Sequence, residues 1–338
     1  MTRTVETVDP LVTVRGLSVE FPTREGPVRA VDDVSFTVRR GEIIGLVGES
    51  ASGKSTLGLS LLRAVPPPGK AKADELRLED RDLLALSEAE LRTVRSAEIA
   101  LVVQDALATM NPVTTIGEQI IRIMKDHGVR GSRNEYRERA IRALREVHLP
   151  DPEGALRKYP HELSGGMQQR VAIAQGLILE PKLIIADEPT TALDVTVQAQ
   201  ILALLKSIAA SHGTSIVFVT HDLATVAEIC DRVMVMYAGR IVESGAVQDV
   251  FRVPQHPYTR ALLASLLPLG GEPPERLDAI PGQPPRPGAW PTGCRFHPRC
   301  PLYREKGEPE QCRTHDPASR GDRSHWAACH FATEEESA

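Results

Sequence analysis

Aromatic residues are scarce in this chain of 338 residues, at 4% of the total. Positive charge is not in excess either, since the formal net charge is −5 and no basic run is long enough to follow a phosphate backbone. Proteins that bind nucleic acid use basic stripes and aromatic stacking side chains. These two absences therefore disfavour a nucleic-acid partner.

Long apolar runs are also lacking. None reaches the roughly 18–20 residues that a membrane-spanning helix needs. Residues 1–10 are polar and acidic, without the apolar segment of a signal peptide. We therefore expect a cytoplasmic protein whose attachment to a membrane comes from partner subunits.

Cysteine is nearly absent from the first 290 residues, where Cys230 stands alone. The remaining cysteines crowd into the tail, at Cys294, Cys300, Cys312 and Cys329. In a cytosolic chain such a cluster binds metal more often than it forms disulfides. Over the full chain, hydrophobic residues make up 41%, which is sufficient for a large packed domain.

One phosphate-binding motif is complete. Its residues are Gly48, Glu49, Ser50, Ala51, Ser52, Gly53, Lys54, Ser55 and Thr56. The apolar run Ile43–Val47 before it predicts a buried strand, and Leu57–Leu62 after it predicts the start of a helix. This is the strand–loop–helix context that G-x-x-x-x-G-K-[ST] requires, which disfavours a glycine-rich turn that merely contains a lysine.

The chemistry of this loop points to a nucleotide. Gly48 and Gly53 let successive backbone N–H groups point inward at a helix N-terminus, where they bind phosphate. Lys54 would neutralise the β- and γ-phosphates, and the Ser55 hydroxyl would ligate Mg²⁺.

Two alternating stretches precede the loop. Leu11–Phe21 and Val28–Val38 predict antiparallel strands joined by a turn-rich segment, residues 22–27. Phe21 closes the first strand. From the residues alone, it either stacks on an adenine base or covers the end of the sheet.

Further along, Gln104 follows the short strand candidate Ile99–Val103. At the carboxyl end of a strand, Gln104 would ligate Mg²⁺ and orient water, although a lone surface glutamine is the simpler interpretation. Helical periodicity in Ile116–Lys125 and Asn134–Val147 then interrupts the alternation of strands and helices. We expect an inserted helical subdomain at about residues 105–180.

A second helix start with exposed backbone N–H groups lies at Ser164, Gly165 and Gly166, before the apolar helix Val171–Leu179. Ser164 is a good N-cap, and the two glycines indicate close approach of a ligand. The alternative is a capped helix without a ligand.

Acidic residues end the apolar run Leu183–Ala186. We expect Asp187 to hold Mg²⁺ through water and Glu188 to act as general base on the attacking water. Asp194 follows in a loop before a predicted helix, and His221 ends the buried strand candidate Ser215–Thr220. Because these side chains follow strands, they belong to the sheet edge where open α/β folds bind ligands, and His221 is expected to contact the γ-phosphate.

In this order the motifs resemble those of the ATP-binding subunits of ABC transporters, over about residues 11–251. The resemblance implies an α/β P-loop ATPase with an antiparallel β subdomain and the helical insertion. It also implies a head-to-tail dimer in which Ser164, Gly165 and Gly166 of one subunit serve the ATP of the other. By the same resemblance, Phe21 stacks on adenine, and Gln104 and the insertion contact membrane subunits.

A narrower resemblance, to the ATPases of dipeptide, oligopeptide and nickel importers, comes from four features. They are Met167 and the segments 111–119, 256–263 and 280–285. Since the last two segments lie beyond the ATPase motifs, we expect an ATPase domain at residues 11–253 and an extension at 254–338.

The narrower resemblance implies ATP hydrolysis, with His221, Lys54, Gln104 and Glu188 as catalytic residues, coupled to import of peptides or of a related solute such as nickel. The implied partners are two transmembrane permease subunits, a second and paralogous ATPase, and an extracytoplasmic substrate-binding protein. The alternative is a soluble ABC ATPase that acts on nucleic acid or ribosomes.

The tail, about residues 270–338, is poor in aliphatic residues and cannot build much of a core alone. Four thiolates suit either a [4Fe–4S] cluster or Zn²⁺, and none of the spacings is the C-x₂-C of common zinc sites. In related dipeptide importer ATPases the four matching cysteines resemble iron–sulfur ligands, which favours the cluster over zinc and over free thiols. We therefore expect a metal-stapled extension.

Overall fold

A computed structural model describes residues 10–24, 26–191, 193–265, 280–322 and 324–332. The expectation for the N-terminus (residues 1–10) falls almost entirely outside these ranges, as do residues 270–279 and 333–338 of the tail.

Strands and helices alternate along most of the described chain. The strands are β1 (Val12–Thr23), β2 (Gly26–Val38), β3 (Ile43–Val47), β4 (Lys70–Lys72), β5 (Glu75–Leu78), β6 (Arg81–Asp82), β7 (Ile99–Val102), β8 (Leu183–Asp187), β9 (Ser215–Thr220), β10 (Arg232–Tyr237), β11 (Arg240–Ala246), β12 (Ser319–Gly321) and β13 (His325–Ala328).

The helices of the first part of the chain are α1 (Lys54–Leu61), α2 (Glu88–Val94), α3 (Ala106–Thr109), α4 (Ile116–Asp126), α5 (Arg133–Glu146), α6 (Pro152–Ala155) and α7 (Gly165–Leu177). Those that follow are α8 (Val195–His212), α9 (Leu223–Ile229), α10 (Val247–Arg252), α11 (Pro257–Ala264), α12 (Pro301–Glu305) and α13 (Glu310–Thr314). Two short 3₁₀ helices are Pro160–Glu162 and His297–Arg299.

The chain forms two compact units. Of the described residues, the first contains 10–12, 38–43 and 78–218. Its strands lie in the order β9-β8-β7, and β7 and β8 pair in parallel from Ile99 opposite Leu183 to Val102 opposite Ala186. Leu183–Ala186 is fully buried, as a continuous apolar run in a parallel sheet requires.

The predicted helical subdomain, α3–α7, lies in this first unit. Capping boxes at Thr115–Glu118 and Ser132–Glu135 start α4 and α5, which pack against each other. Both α3 and α5 also pack on α7. The helices predicted from periodicity at residues 116–125 and 134–147 are thus confirmed as α4 and α5, and α7 begins at Gly165, directly after the predicted N-cap Ser164.

The second unit contains residues 13–37, 44–77 and 219 onward. One sheet has the order β2-β1-β5, with β4 antiparallel on β1. The other has the order β12-β13-β11-β10-β3, in which β3 and β10 are parallel and the remaining pairs are antiparallel. Strands β10 and β11 form a hairpin, with Tyr237 opposite Arg240.

The C-terminal extension contributes to the second unit in two ways. Its strands β13 and β12 lengthen the sheet beyond β11. Its buried aromatic residues share one hydrophobic core with the strands around the phosphate loop; examples are Tyr258 and Phe296, which pack with Tyr237. Sharing this core compensates for the small number of aliphatic residues in the tail.

None of the helices within the described ranges is long and apolar enough to cross a membrane.

Candidate nucleotide-binding site

The phosphate motif forms a tight loop between the end of β3 and the start of α1, as predicted. Gly53 is the N-cap of α1 at φ 106°, and a Cβ there would lie 2.3 Å from the Ala30 carbonyl oxygen. A Cβ on Gly48 would lie 2.1 Å from the Met236 oxygen. Only glycine fits at both positions, because the backbone of neighbouring strands approaches so closely.

Lys54 is buried at the centre of this loop. Its Nζ donates to the carbonyl oxygens of Gly48 at 2.8 Å and of Glu49 at 3.0 Å. The loop is thus curled around its own lysine. Of the remaining loop residues, Ser50, Ala51 and Ser55 are exposed and Thr56 is half-buried.

Ser52 carries the clearest sign of a missing partner in the loop. Its Oγ is buried and has no hydrogen-bond partner among the residues that the structure describes. Its backbone is well held, since Ser52 N donates to Glu49 O at 3.2 Å and Gly239 N donates to Ser52 O at 2.8 Å. Buried hydroxyls are nearly always hydrogen-bonded, so this hydroxyl in a glycine-rich, lysine-containing loop fits the oxygen of a phosphate.

Two more predicted site residues lie in the second unit. The half-buried Phe21 has its ring against Gly69, where a Cβ would lie 2.5 Å from the ring. His221 is exposed directly after β9. Their roles toward adenine and the γ-phosphate stay predictions.

In the first unit, Asp187 ends β8 and Glu188 follows it, both half-buried. Glu188 has φ 47°, a left-handed conformation that is uncommon for a residue with a side chain. Thr191 Oγ1 donates to Glu188 Oε2 at 2.9 Å. The catalytic role of Glu188 stays a prediction. Gln104 lies two residues after β7 and is exposed.

A pocket of the first unit brings together four predicted residues. Ser164, Gly165 and Gly166 line it at the start of α7, and Asp194 lines it from the loop before α8. Ser164 makes no side-chain capping bond, whereas Asp194 Oδ1 accepts from Val197 N at 3.0 Å. Asp194 therefore caps α8, a role that the sequence prediction did not include.

The four cysteines of the tail line a single cavity together with apolar side chains such as Phe296 and Phe331. Burial raises the pKa of the thiol of Cys294 to about 12 and that of Cys300 to about 11. Yet among the residues that the structure describes, no group of three His, Cys, Asp or Glu side chains is placed to hold a metal ion. The convergence of the thiols agrees with the sequence prediction, and the expected metal staple itself is not supported.

Two residues that contact the phosphate loop were not predicted from the sequence, because they are remote from the loop in the chain. Arg299 forms a bidentate ion pair with Glu49, through distances of 2.7 and 3.0 Å. The hydroxyl of Tyr258 accepts from Glu49 N at 2.9 Å. The local signals were the position of Arg299 directly before Cys300 and that of Tyr258 within the segment 256–263.

A second charged cluster joins the extension to the strands beside the loop. The buried Asp32 accepts from Arg240, with Nε at 3.0 Å and Nη2 at 2.8 Å, and also from Arg295. Burial raises the pKa of Asp32, but hydrogen bonds and charge from the two arginines outweigh this, so the net shift is downward. Arg29 Nη1 also donates to Asp32 Oδ1, at 3.0 Å, so Asp32 stays ionised among three cations.

Comparison with protein families gives two matches. Residues 31–191 match a model described as ABC transporter. Residues 242–306 match a model described as oligopeptide/dipeptide transporter, C-terminal region.

Similar proteins extend over almost the whole chain. The dipeptide transport ATP-binding protein DppD of Haemophilus influenzae is 44% identical, with 96% of this chain and 97% of the relative covered. The DppD protein of Escherichia coli is 45% identical, with coverages of 91% and 92%. The oligopeptide transport ATP-binding protein AppD of Bacillus subtilis is 44% identical, with coverages of 97% and 98%.

Among solved structures, the chain is similar to the ATP-binding cassette MJ0796, determined as a dimer in a post-hydrolysis state with ADP and Pi. That structure is 28% identical and has a TM-score of 0.62, with 70% of this chain and 98% of that one covered. The chain is also similar to cbiO1 of Clostridium perfringens, part of the transporter complex cbiONQ, with 27% identity, a TM-score of 0.60 and coverages of 72% and 92%.

Proposed function

The chain belongs to the family of ATP-binding subunits of dipeptide and oligopeptide ABC transporters, and we propose that it hydrolyses ATP to drive import of peptides through a membrane complex. ATP hydrolysis is supported mainly by the phosphate loop, in which Lys54 is held and the buried Ser52 Oγ has no partner among the described residues. Peptide import is supported by the similarity to dipeptide and oligopeptide transport proteins over nearly their full length.

Within the phosphate loop, the residues have distinct roles. Backbone N–H groups and Ser52 Oγ bind phosphate oxygens, and Lys54 neutralises the β- and γ-phosphates. Ser55 Oγ would be a ligand for Mg²⁺, and Gln104 and, through water, Asp187 would be the other protein groups that hold it. Phe21 stacks on the adenine base. The Mg²⁺ ion, when bound, neutralises charge on the phosphates.

Hydrolysis needs a base and a γ-phosphate contact. Glu188 accepts the proton of the attacking water, and its position is set by the bond from Thr191. His221 contacts the γ-phosphate. Positioning and electrostatic stabilisation supply most of the rate enhancement in reactions of this kind.

The first-unit pocket at Ser164–Gly166 and Asp194 serves the ATP of a second ATPase subunit, a paralogue of this chain. Exposed N–H groups at the start of α7 and the unused Ser164 hydroxyl suit phosphate. The dimeric state of the similar cassette MJ0796, with ADP and Pi, is consistent with this arrangement.

The remaining partners are two transmembrane permease subunits and an extracytoplasmic substrate-binding protein, which set the substrate. The chain then lies at the cytoplasmic face of the membrane, attached through the permeases. Nickel or another small solute is the alternative cargo. A soluble ATPase acting on nucleic acid is disfavoured, because residues 242–306 match a C-terminal region of peptide transporters.

The cysteine cavity is proposed to hold a [4Fe–4S] cluster, with Zn²⁺ as the alternative. Four thiols that line one cavity, three of them buried, are a donor set for either group. Anaerobic purification followed by iron, sulfide and zinc analysis tests this. Iron and sulfide in a four-to-four ratio per chain are expected for the cluster. Zinc alone, or no metal at all, would refute it.

The transport function is tested in proteoliposomes that contain the two permeases, the second ATPase and this chain. The two ATPases and ATP are inside the vesicles, and the binding protein is outside. Labelled dipeptide should then accumulate inside. The matched control replaces this chain by Lys54→Ala. Nickel uptake without peptide uptake would reassign the cargo, and peptide uptake without ATP would refute the proposal.

A further inference from the structure

The C-terminal extension contacts the phosphate loop through two buried side chains, and both hold the same residue, Glu49. Arg299 donates from Nη1 to Glu49 Oε2 at 2.7 Å and from Nη2 to Oε1 at 3.0 Å. The Tyr258 hydroxyl accepts from Glu49 N at 2.9 Å. The side chain and the backbone of Glu49 are therefore fixed by separate partners.

Arg299 is itself held in one orientation. It is 5% exposed, and its Nε donates to Pro281 O at 2.8 Å. Its guanidinium also lies 5.8 Å from the centroid of the Tyr237 ring, and Nη1 is 3.3 Å from the hydroxyl of that tyrosine. A planar guanidinium with all three nitrogens engaged loses little freedom on pairing with a carboxylate, and a lysine cannot reproduce this geometry.

Tyr258 is equally constrained. Its side chain is fully buried, with ring centroids 4.6 Å from Tyr237 and 5.4 Å from Phe296. The residue lies in the first turn of α11, and Tyr258 N donates to His256 Nδ1 at 3.0 Å. The hydroxyl therefore reaches the loop from a rigid aromatic cluster.

These contacts extend to the residue that meets the phosphates. Lys54 Nζ donates to Glu49 O, so the backbone of Glu49 is held at its nitrogen by Tyr258 and at its oxygen by Lys54. A shift of Glu49 would move the carbonyl that orients the lysine and the N–H groups that follow. Binding sites that are held in the bound conformation gain affinity, because less freedom is lost when the ligand binds.

We propose that Arg299 and Tyr258 are positioning residues that pre-organise the phosphate loop, so that the C-terminal extension sets the affinity of this subunit for ATP. The inference rests on the proposed binding of ATP by the loop. Neither residue contacts the nucleotide in this account, since both act through Glu49.

A double-mutant cycle on the full chain tests the proposal, with Arg299→Met, Glu49→Gln and the combined variant. The Kd for MgATP is measured by displacement of a fluorescent ATP analogue, and the unfolding temperature is measured without nucleotide. Arg299→Met should raise the Kd about tenfold. The Kd of the double variant should be no higher than that of the single variant that binds MgATP less tightly. The KM for ATP should rise in parallel, with kcat changed less than about twofold.

Matched variants separate positioning from folding. Arg304→Met changes an exposed arginine on α12 and should leave the Kd unchanged. Arg299→Lys should restore only part of the affinity, and Tyr258→Phe, which keeps the packed ring, should raise the Kd without a large loss of stability. If Arg299→Met does not fold, these two variants carry the test.

If the wild-type chain does not bind MgATP, both the proposed function and this inference are refuted. Wild-type binding with an unchanged Kd in Arg299→Met and Tyr258→Phe would overturn the inference alone. The same holds for additive effects of Arg299→Met and Glu49→Gln, because additivity means that the pair does not act on ATP as a unit.

Discussion

Arg299 and Glu49 are 250 residues apart in the chain and form a two-bond ion pair at the phosphate loop. The pair joins the 3₁₀ helix before Cys300 to the residue that follows Gly48. The described part of the extension is therefore structurally continuous with the proposed nucleotide site of its own unit.

Ser52→Ala should change binding and stability in opposite directions. The buried Oγ has no partner without a ligand, so its removal should leave the free energy of unfolding unchanged or raise it by up to about 1 kcal/mol. The same change should weaken ATP binding about 10- to 100-fold, as for loss of a hydrogen bond to a charged group. Titration calorimetry and denaturant unfolding check both. Ser60→Ala is the control, because Ser60 Oγ donates to Leu57 O within α1, and its ATP affinity should not change.

Gly53→Ala should destabilise the loop more than a comparable change elsewhere. The added Cβ meets the Ala30 carbonyl oxygen at 2.3 Å, and φ is 106°. Gly213→Ala is the control, since Gly213 also has a positive φ, 65°, but has no atom within 4 Å of an added Cβ. In urea unfolding, we expect Gly213→Ala to lower the free energy of unfolding by about 1 kcal/mol and Gly53→Ala to lower it by clearly more. Equal costs would contradict the close approach at Gly53.

Acid should destabilise the contact between the extension and β11. Burial raises the pKa of the Glu243 carboxyl. The hydrogen bond from His325, followed by those from Gln255 N and His256 N, lowers it by more, so the net shift of this pKa is downward. A folded pKa below the unfolded value means that this stabilisation is complete above the ordinary glutamate pKa and is lost as pH falls below it.

Urea unfolding at a series of pH values measures this loss. Glu243→Gln should lower stability at pH 7 and flatten its pH dependence below the ordinary glutamate pKa, about 4.3. A wild-type curve that is no steeper than that of the variant in this range would contradict the account of Glu243.

Asp32→Ala should be among the more damaging charge deletions. Its removal leaves Arg240 and Arg295 without their shared buried carboxylate, which costs about 3–5 kcal/mol in comparable cases. The control is Asp316→Ala, which removes a half-exposed partner of Arg240 at 2.9 Å and should cost at most about 1 kcal/mol. Thermal unfolding compares the two. Similar costs would show that the buried cluster is no stronger than a surface pair.

The strands and the main motifs were predictable because their signals are local. Ile43–Val47 and Leu183–Asp187 are continuous apolar runs that end at polar residues, and the structure confirms both as strands. The start of α7 was placed from Ser164 and its glycines. In each case a few adjacent residues determine the backbone, so the sequence pattern is enough.

The extension was less predictable because its structure depends on partners far away in the chain. Strand β12 is polar and exposed, and β13 forms by pairing with β11. The roles of Tyr258 and Arg299 arise from contacts with Glu49, and no spacing in the sequence encodes such contacts. The tail was expected to need a metal as its scaffold, whereas Tyr258 and Phe296 place it on the core of the second unit.

Phosphate release by Glu188→Gln, with the second ATPase and the permeases present, tests the central claim most directly. The account predicts that the variant binds MgATP as tightly as wild type but hydrolyses it about 10²–10⁴-fold more slowly, and that peptide uptake stops. Near-normal turnover in the variant, with uptake retained, would contradict the assignment of Glu188 as the base and the proposal that its ATP hydrolysis drives import.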